Sequence, residues 1–282
     1  MTSMTSMTSM HCDVCGYTTA ECESVRDSAA HSENTGPLRH LRIVRNTMVW
    51  NAMGASVRGS THRKIGCSKQ GAWLSGQIRG ATFVVVCDGL ADSPHATIGS
   101  RSACYAVEDA VSHWTVSPGV SPELLISLVH SLWNVRVSQT GPAESATTCL
   151  FAVATTDGRL VIAQLGNGLV MMKTLHKDLA LEPPPNDPGQ PIAGLGVSQD
   201  VAKWSLHVEP IPTGRISVLL ATNSVVQYLT RDQQESLMND LVRKYEPRRA
   251  AARTRAIAKE LREWPTPRHG DDKTLAMLWK SQ

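Results

Sequence analysis

The residues able to do chemistry fall into three groups. Near the start, His11-Cys12-x-x-Cys15 is followed by Cys22 and His31. Thiols and imidazoles at close spacing can hold zinc, which takes four such ligands in a tetrahedron. A single Cys-x-x-Cys pair with no second knuckle is half of that pattern, and a leader without a metal is the competing reading. Further on, Asp88 ends the apolar run Phe83-Val84-Val85-Val86-Cys87, and Asp271-Asp272 precedes the closing apolar stretch. Each also reads as a turn aspartate beside a strand, where a short carboxylate bonds nearby backbone amides. Cys87 invites a thiol-phosphatase reading. That chemistry needs a phosphate-cradling loop in which Cys is followed five residues later by Gly and Arg, and the chain lacks it. Cys87 therefore reads as core. The third group is Arg248, Arg249, Arg253, Arg255, Lys259 and Arg262, with Glu246, Glu260 and Glu263 interspersed. A solvated helix face accounts for it, with an acidic or phosphorylated partner as the alternative.

The chain that must position these groups has 282 residues, 41% of them hydrophobic, enough for one substantial core and a tail. A net charge of +3 is too small to argue for nucleic acid or membrane, and two Phe with four Tyr supply few platforms for stacking bases. The longest apolar runs, Phe83 to Cys87 and Leu150 to Ala154, are strand-sized and too short to cross a bilayer. Met1 to Met10 repeats Met-Thr-Ser and has neither the basic end nor the apolar stretch of a secretory signal. Seven cysteines, with Cys87 and Cys149 inside apolar runs, fit a reducing compartment better than a disulfide framework. The expected location is the cytoplasm, with no nucleic-acid or membrane partner.

Residues 1–46 are rich in Ser, Thr and charge without a sustained period, and read as a low-complexity, disordered segment. Residues 47–282 read as one folded domain, with Met48 as an alternative start. Strands are expected at Met48–Met53, Ala72–Gln77 and Ala81–Cys87. A helix over Ala96–His113 would bury Ile98, Tyr105, Val107, Val111 and the following Trp114. Ser121-Pro122-Glu123 then starts a helix: Ser caps, Pro fits the first turn, and Glu meets the positive end. It should run to about Arg136 and bury Leu124, Leu125, Leu128, Leu132 and Trp133. Strands Thr147–Ala154, Arg159–Leu165 and Gly168–Thr174 follow, joined by tight turns at Thr156-Asp157-Gly158 and Gly166-Asn167-Gly168. After a Pro-rich loop over 182–191 come strands at Ala202–Val208 and Ile216–Ala221, a helical stretch from Arg231 to about Trp264, and a last strand, Lys273–Trp279. That order predicts an α+β fold of stacked sheets covered by helices.

The short signals also occur in an informative order. Trp50-Asn51-Ala52-Met53-Gly54-Ala55-Ser56-Val57-Arg58-Gly59-Ser60-Thr61-His62 leads to Cys67-Ser68-Lys69-Gln70-Gly71-Ala72. Then come the strand ending in Asp88-Gly89, Thr147-Thr148, Gly166-Asn167-Gly168, Leu219-Leu220-Ala221-Thr222-Asn223-Ser224 and Gly270-Asp271-Asp272-Lys273-Thr274. Across residues 48–280 this series resembles the bacterial branch of the type 2C metal-dependent protein serine/threonine phosphatases. The resemblance implies two stacked antiparallel sheets flanked by helices, an α-β-β-α sandwich. It also implies Mn2+ or Mg2+ ions whose activated water attacks phosphoserine or phosphothreonine.

Carried over residue by residue, the resemblance implies metal roles for Asp88, the Gly89 carbonyl, Asp271 and Asn223, with Asp272 as a substitute and Asp88 and Asp271 as the catalytic carboxylates. Three family carboxylates are replaced, by Gly71, Asn167 and Asn223. The family's phosphate-holding arginine is absent from its usual place, although Arg58, Arg63 and Lys64 lie upstream. Where some relatives place a histidine after Asp-Gly, this chain has Leu90, which leaves His95 as the nearest candidate acid; His62 matches a histidine of this branch without an assigned mechanism. Hard cations prefer oxygen ligands, and carboxylates supply both geometry and charge. A substituting Asn offers an amide oxygen without charge. The expectation is one weakly held metal ion or none. Activity is then reduced or lost, or the chain is a pseudophosphatase, binding a phosphorylated protein or a cognate serine/threonine kinase.

Overall fold

The computed structural model describes residues 49–90, 92–182, 192–264 and 270–280. The chain divides between Asn46 and Thr47. All described residues belong to the second unit, so the Cys12, Cys15, Cys22 and His31 zinc reading lies outside them, as does most of the Pro-rich loop.

The strands are β1 (Trp50–Val57), β2 (Gly71–Ile78), β3 (Ala81–Asp88), β4 (Cys149–Ala154), β5 (Arg159–Leu165), β6 (Leu169–Thr174), β7 (Asp178–Leu181), β8 (Ser205–Pro210), β9 (Ile216–Ala221) and β10 (Lys273–Lys280). The helices are α1 (Ser60–Lys64), α2 (Ala96–Trp114), α3 (Pro122–Arg136), α4 (Asn223–Val226), α5 (Arg231–Tyr245) and α6 (Ala250–Glu263). They build two antiparallel five-stranded sheets, ordered β1-β10-β9-β6-β7 and β2-β3-β4-β5-β8.

Both faces of the central strands are apolar, which requires a layer on each side. Val84, Val86, Leu150 and Ile162 point between the sheets, against Met172, Val218, Leu220 and Leu278. Their neighbours Val85, Phe151 and Val153 point the other way, onto α2 and α3. On the far sheet Met53, Met171, Leu219 and Met277 pack beneath Leu237, Leu241, Ile257 and Leu261 of α5 and α6. The result is the α-β-β-α sandwich expected from the sequence.

Local differences have local causes. Ile98 and Tyr105, expected in the core, are 42% and 49% exposed. Val107, Val111 and Trp114 are buried as expected, and Gly99, Ala103, Ala106 and Ala110 complete the buried face of α2. Only small residues fit there, since a Cβ on Gly99 would lie 1.7 Å from the Ser145 carbonyl oxygen. On α3, Leu124 is 46% exposed, while Ile126, Val129 and His130 take the inner face beside Leu125 and Trp133. The single helix expected from Arg231 to Trp264 is two. Pro247 has no amide to donate to the Arg243 carbonyl, so α5 ends at Tyr245 and α6 restarts at Ala250. The short elements α1, α4 and β7 carry too few residues for a periodic signal.

Candidate functional site

The ends of several strands converge. β3 delivers Asp88, which sits directly across from Gly71 at the start of β2. The β5–β6 turn delivers Asn167, the step from β9 into α4 delivers Asn223, and the residues before β10 deliver Asp271 and Asp272. Together with His62, Gln70, Gly89, Leu90 and Thr148 they line one cleft of about 240 Å³. The sequence candidates Asp88, Gly89, Asp271 and Asn223 are thus brought to one place. His95 is not among the lining residues; it lies 3.7 Å from Glu144 with a well-exposed side chain. Cys87 is fully buried with Cys104 and Cys149, and that burial pushes its thiol well up.

The backbone of Asp88 is clamped. Its carbonyl accepts from the Thr148 amide at 2.9 Å and from the Thr147 hydroxyl at 3.0 Å, and its amide donates to the Thr148 hydroxyl at 3.0 Å. Its carboxylate has no hydrogen-bond donor among the described residues. Burial first, then the negative charges of Asp272 and Asp271, raise its carboxyl well above the usual range. A carboxyl raised in the folded state supplies stability below its unfolded value of about 4, and that stability is lost as pH rises through the folded value. Asp88→Asn is therefore expected to raise the melting temperature at pH 7–8 and to change it little near pH 4, with about 1.4 kcal/mol for each unit of the raised pKa. Melting curves across that range check it. A variant less stable than the parent at pH 8 would show that the charge is compensated.

Asp272 is differently placed. Its side chain is 1% exposed, and one oxygen accepts from the Gly59 amide at 2.7 Å and from His62 Nδ1 at 2.9 Å. The other oxygen accepts from the Gly71 amide at 3.0 Å and from the Gln70 amide. The aspartate offered from sequence as a substitute metal ligand is thus committed to four protein donors.

Gly71, Asn167 and Asn223, where the resemblance expects carboxylates, each have a local structural setting. At Gly71 a Cβ would lie 2.4 Å from Thr274 Oγ1. Ser56 fills the remaining space, donating to the Gly71 carbonyl at 2.8 Å and lying 2.8 Å from the Thr274 hydroxyl. Asn167 stands between two glycines at φ 91° and φ 136°, the backbone of a tight turn. The Asn223 amide donates to Gln227 Oε1 at 3.3 Å and keeps its own oxygen available.

Residues 58–190 match the model of the family described as Protein phosphatase 2C. Over that stretch the chain is similar to the type 2C protein phosphatases. Solved structures share its fold. The catalytic domain of the serine threonine protein phosphatase PstP, in complex with two manganese ions, is 15% identical, with 83% of this chain and 100% of that chain covered and a TM-score of 0.56. A serine/threonine phosphatase of S. agalactiae is 11% identical, covering 82% and 99%, at a TM-score of 0.57. RsbX, in complex with magnesium, is 13% identical, covering 82% and 96%, at 0.52. No curated protein matches the chain in sequence.

The donor set at the cleft, among the described residues, does not fit a two-ion centre. Among the described residues no three His, Cys, Asp or Glu side chains are grouped to hold a metal. Asp88 and Asp271 are the carboxylates left uncommitted at the cleft, and neighbouring oxygens on Gly89, Asn167 and Asn223 carry no formal charge. Sequence reasoning missed the polar lattice beneath the site. Ser224 donates to the Asp272 carbonyl, and Thr222 accepts from the Thr274 amide at 3.1 Å. Hydroxyl residues recurring where strands end were its one visible signal. Among the described residues, no helix is long and apolar enough to cross a membrane.

Proposed function

We propose that this domain is an impaired type 2C phosphatase, in which hydrolysis of phosphoserine or phosphothreonine is strongly reduced or lost. The observation that carries this reading is the filled position at Gly71, where the Thr274 hydroxyl occupies the space of a metal-binding side chain. Asp88 and Asp271, with the Gly89 carbonyl and the Asn223 amide oxygen, form an all-oxygen set suited to one Mn2+ or Mg2+ ion, held weakly. A second ion would have to help neutralise the phosphoryl oxygens, and among the described residues lining the cleft no further uncommitted carboxylate remains for it.

The second reading is a binding module for a phosphorylated protein or a cognate serine/threonine kinase. The built cleft favours it: Thr147, Thr148 and Asp272 hold its walls by hydrogen bonds that involve no metal ion.

Calorimetric titration of manganese and magnesium into the full chain, with phosphopeptide hydrolysis alongside, tests the proposal. One weak site at most is expected. Losing several kcal/mol of charge stabilisation implies turnover on the order of a thousandfold below a two-ion relative assayed in parallel. Two saturable ions, with turnover abolished by Asp88→Ala, would overturn it.

A further inference from the structure

His62 is the only imidazole among the described residues lining the cleft. Its Nδ1 lies 2.9 Å from Asp272 Oδ1. That carboxylate cannot turn away, because the Gly59 amide holds the same oxygen and the Gln70 and Gly71 amides hold the other. An aspartate that only accepts fixes the tautomer of its partner, so Nδ1 carries the proton and donates. Nε2 lies on the far side of the ring, and no described residue bonds to it. The side chain is 16% exposed, enough for a ligand in the cleft to reach.

The segment that brings His62 to the cleft differs in charge from the rest of the site. Residues 49–87 contain no Asp or Glu, and they carry Arg58, Arg63, Lys64, Lys69 and Arg79. Arg63 and Lys64 are exposed neighbours of His62 on α1, and neither has an ion-pair partner among the described residues. A cleft containing Asp88 and Asp271 repels an anion unless basic groups offset it, and Arg63 and Lys64 beside His62 supply such charge, whereas Arg79 lies at the far end of β2.

We propose that His62 is the residue that meets the phosphoryl group in this cleft, through Nε2, with Asp272 as its positioning residue. The proposal rests on the reading that the cleft receives a phosphorylated side chain. It assigns the polar contact that neither Leu90 nor His95 provides.

The two ring nitrogens can be separated by substitution. Asn at position 62 reproduces the Nδ1 donor to Asp272 and removes Nε2, whereas Gln reaches the Nε2 position and gives up the Nδ1 bond. The full chain is titrated with a phosphoserine peptide, and separately with inorganic phosphate, in magnesium, while imidazole 15N and backbone amide resonances are followed. The expected result is movement of the His62 Nε2 signal with Nδ1 unchanged. His62→Asn should bind the peptide about tenfold more weakly or worse, as one hydrogen bond to a charged group implies, and melt like the parent. His62→Gln should keep more of the affinity and lose stability. If the Gly89 and Asn223 amides move while Nε2 does not, and His62→Asn binds like the parent, His62 serves only to brace Asp272 and the proposal falls while the phosphoryl reading stands. If no cleft resonance moves with either probe, the phosphoryl reading falls and the proposal falls with it.

Discussion

Replacing Asp272 with alanine is expected to cost roughly 3–5 kcal/mol and to lower the melting temperature by on the order of 10 °C. The carboxylate serves the amides of Gly59, Gln70 and Gly71 and the ring of His62. Alanine leaves those donors facing protein, and an unmet buried donor costs more than a made bond returns. Asp272→Asn keeps one accepting oxygen and turns an NH2 group toward two N–H donors, so it should lose about half as much. Both changes remove a negative charge from beside Asp88 and should let its raised carboxyl fall back toward the ordinary range. Denaturant unfolding gives the stabilities. If alanine is tolerated within 1 kcal/mol, water replaces the carboxylate and Asp272 is free for other work.

The second large effect concerns Gly71. Introducing an acidic side chain there, as Gly71→Asp, is expected to destabilise the fold by about 2–3 kcal/mol and to add no metal binding. The new Cβ would meet Thr274 Oγ1 at 2.4 Å and Ser56 Oγ at 3.2 Å, and the new charge would face Asp88 across the β2–β3 pair. Thr274→Ala clears the space. The double variant should be more stable than the two single costs predict, by about 1 kcal/mol or more, because the residues touch. It should also gain melting temperature from manganese where Gly71→Asp does not. A single variant as stable as the parent would mean that Thr274 yields easily and that packing does not exclude a carboxylate at position 71.

The element order was readable because the strands are short apolar runs punctuated by Gly, Asn and Asp. β5 and β9 begin and end where expected, at Arg159–Leu165 and Ile216–Ala221. The gathering of Asp88, Asp271, Asn167 and Asn223 in one cleft followed from the order of motifs rather than from any one of them. The role of Asp272 was not readable. Three of its four donors are backbone amides 201 to 213 residues away, and a backbone amide has no residue type to recognise. The face of α2 was misjudged for a related reason. Apolar size marks a buried residue only where there is room, and Gly99 and the alanines mark closeness instead.

The position of β10 has a consequence for how the protein is made. Among the described residues the last strand, β10, lies between the first, β1, and β9, and it pairs with both. As the polypeptide is synthesised, β2, β3, β4, β5 and β8 can complete their sheet while β1 still has no neighbour to bond. Its unpaired edge stays open until Lys273–Lys280 emerges and inserts, and the residues just before that strand carry Asp272 onto the amides of the opening segment. Insertion of a late central strand is slow, and the waiting edge is open to pairing with other chains. Arrival of β10 both closes the sheet and assembles the cleft, so a chain cut before Lys273 carries neither.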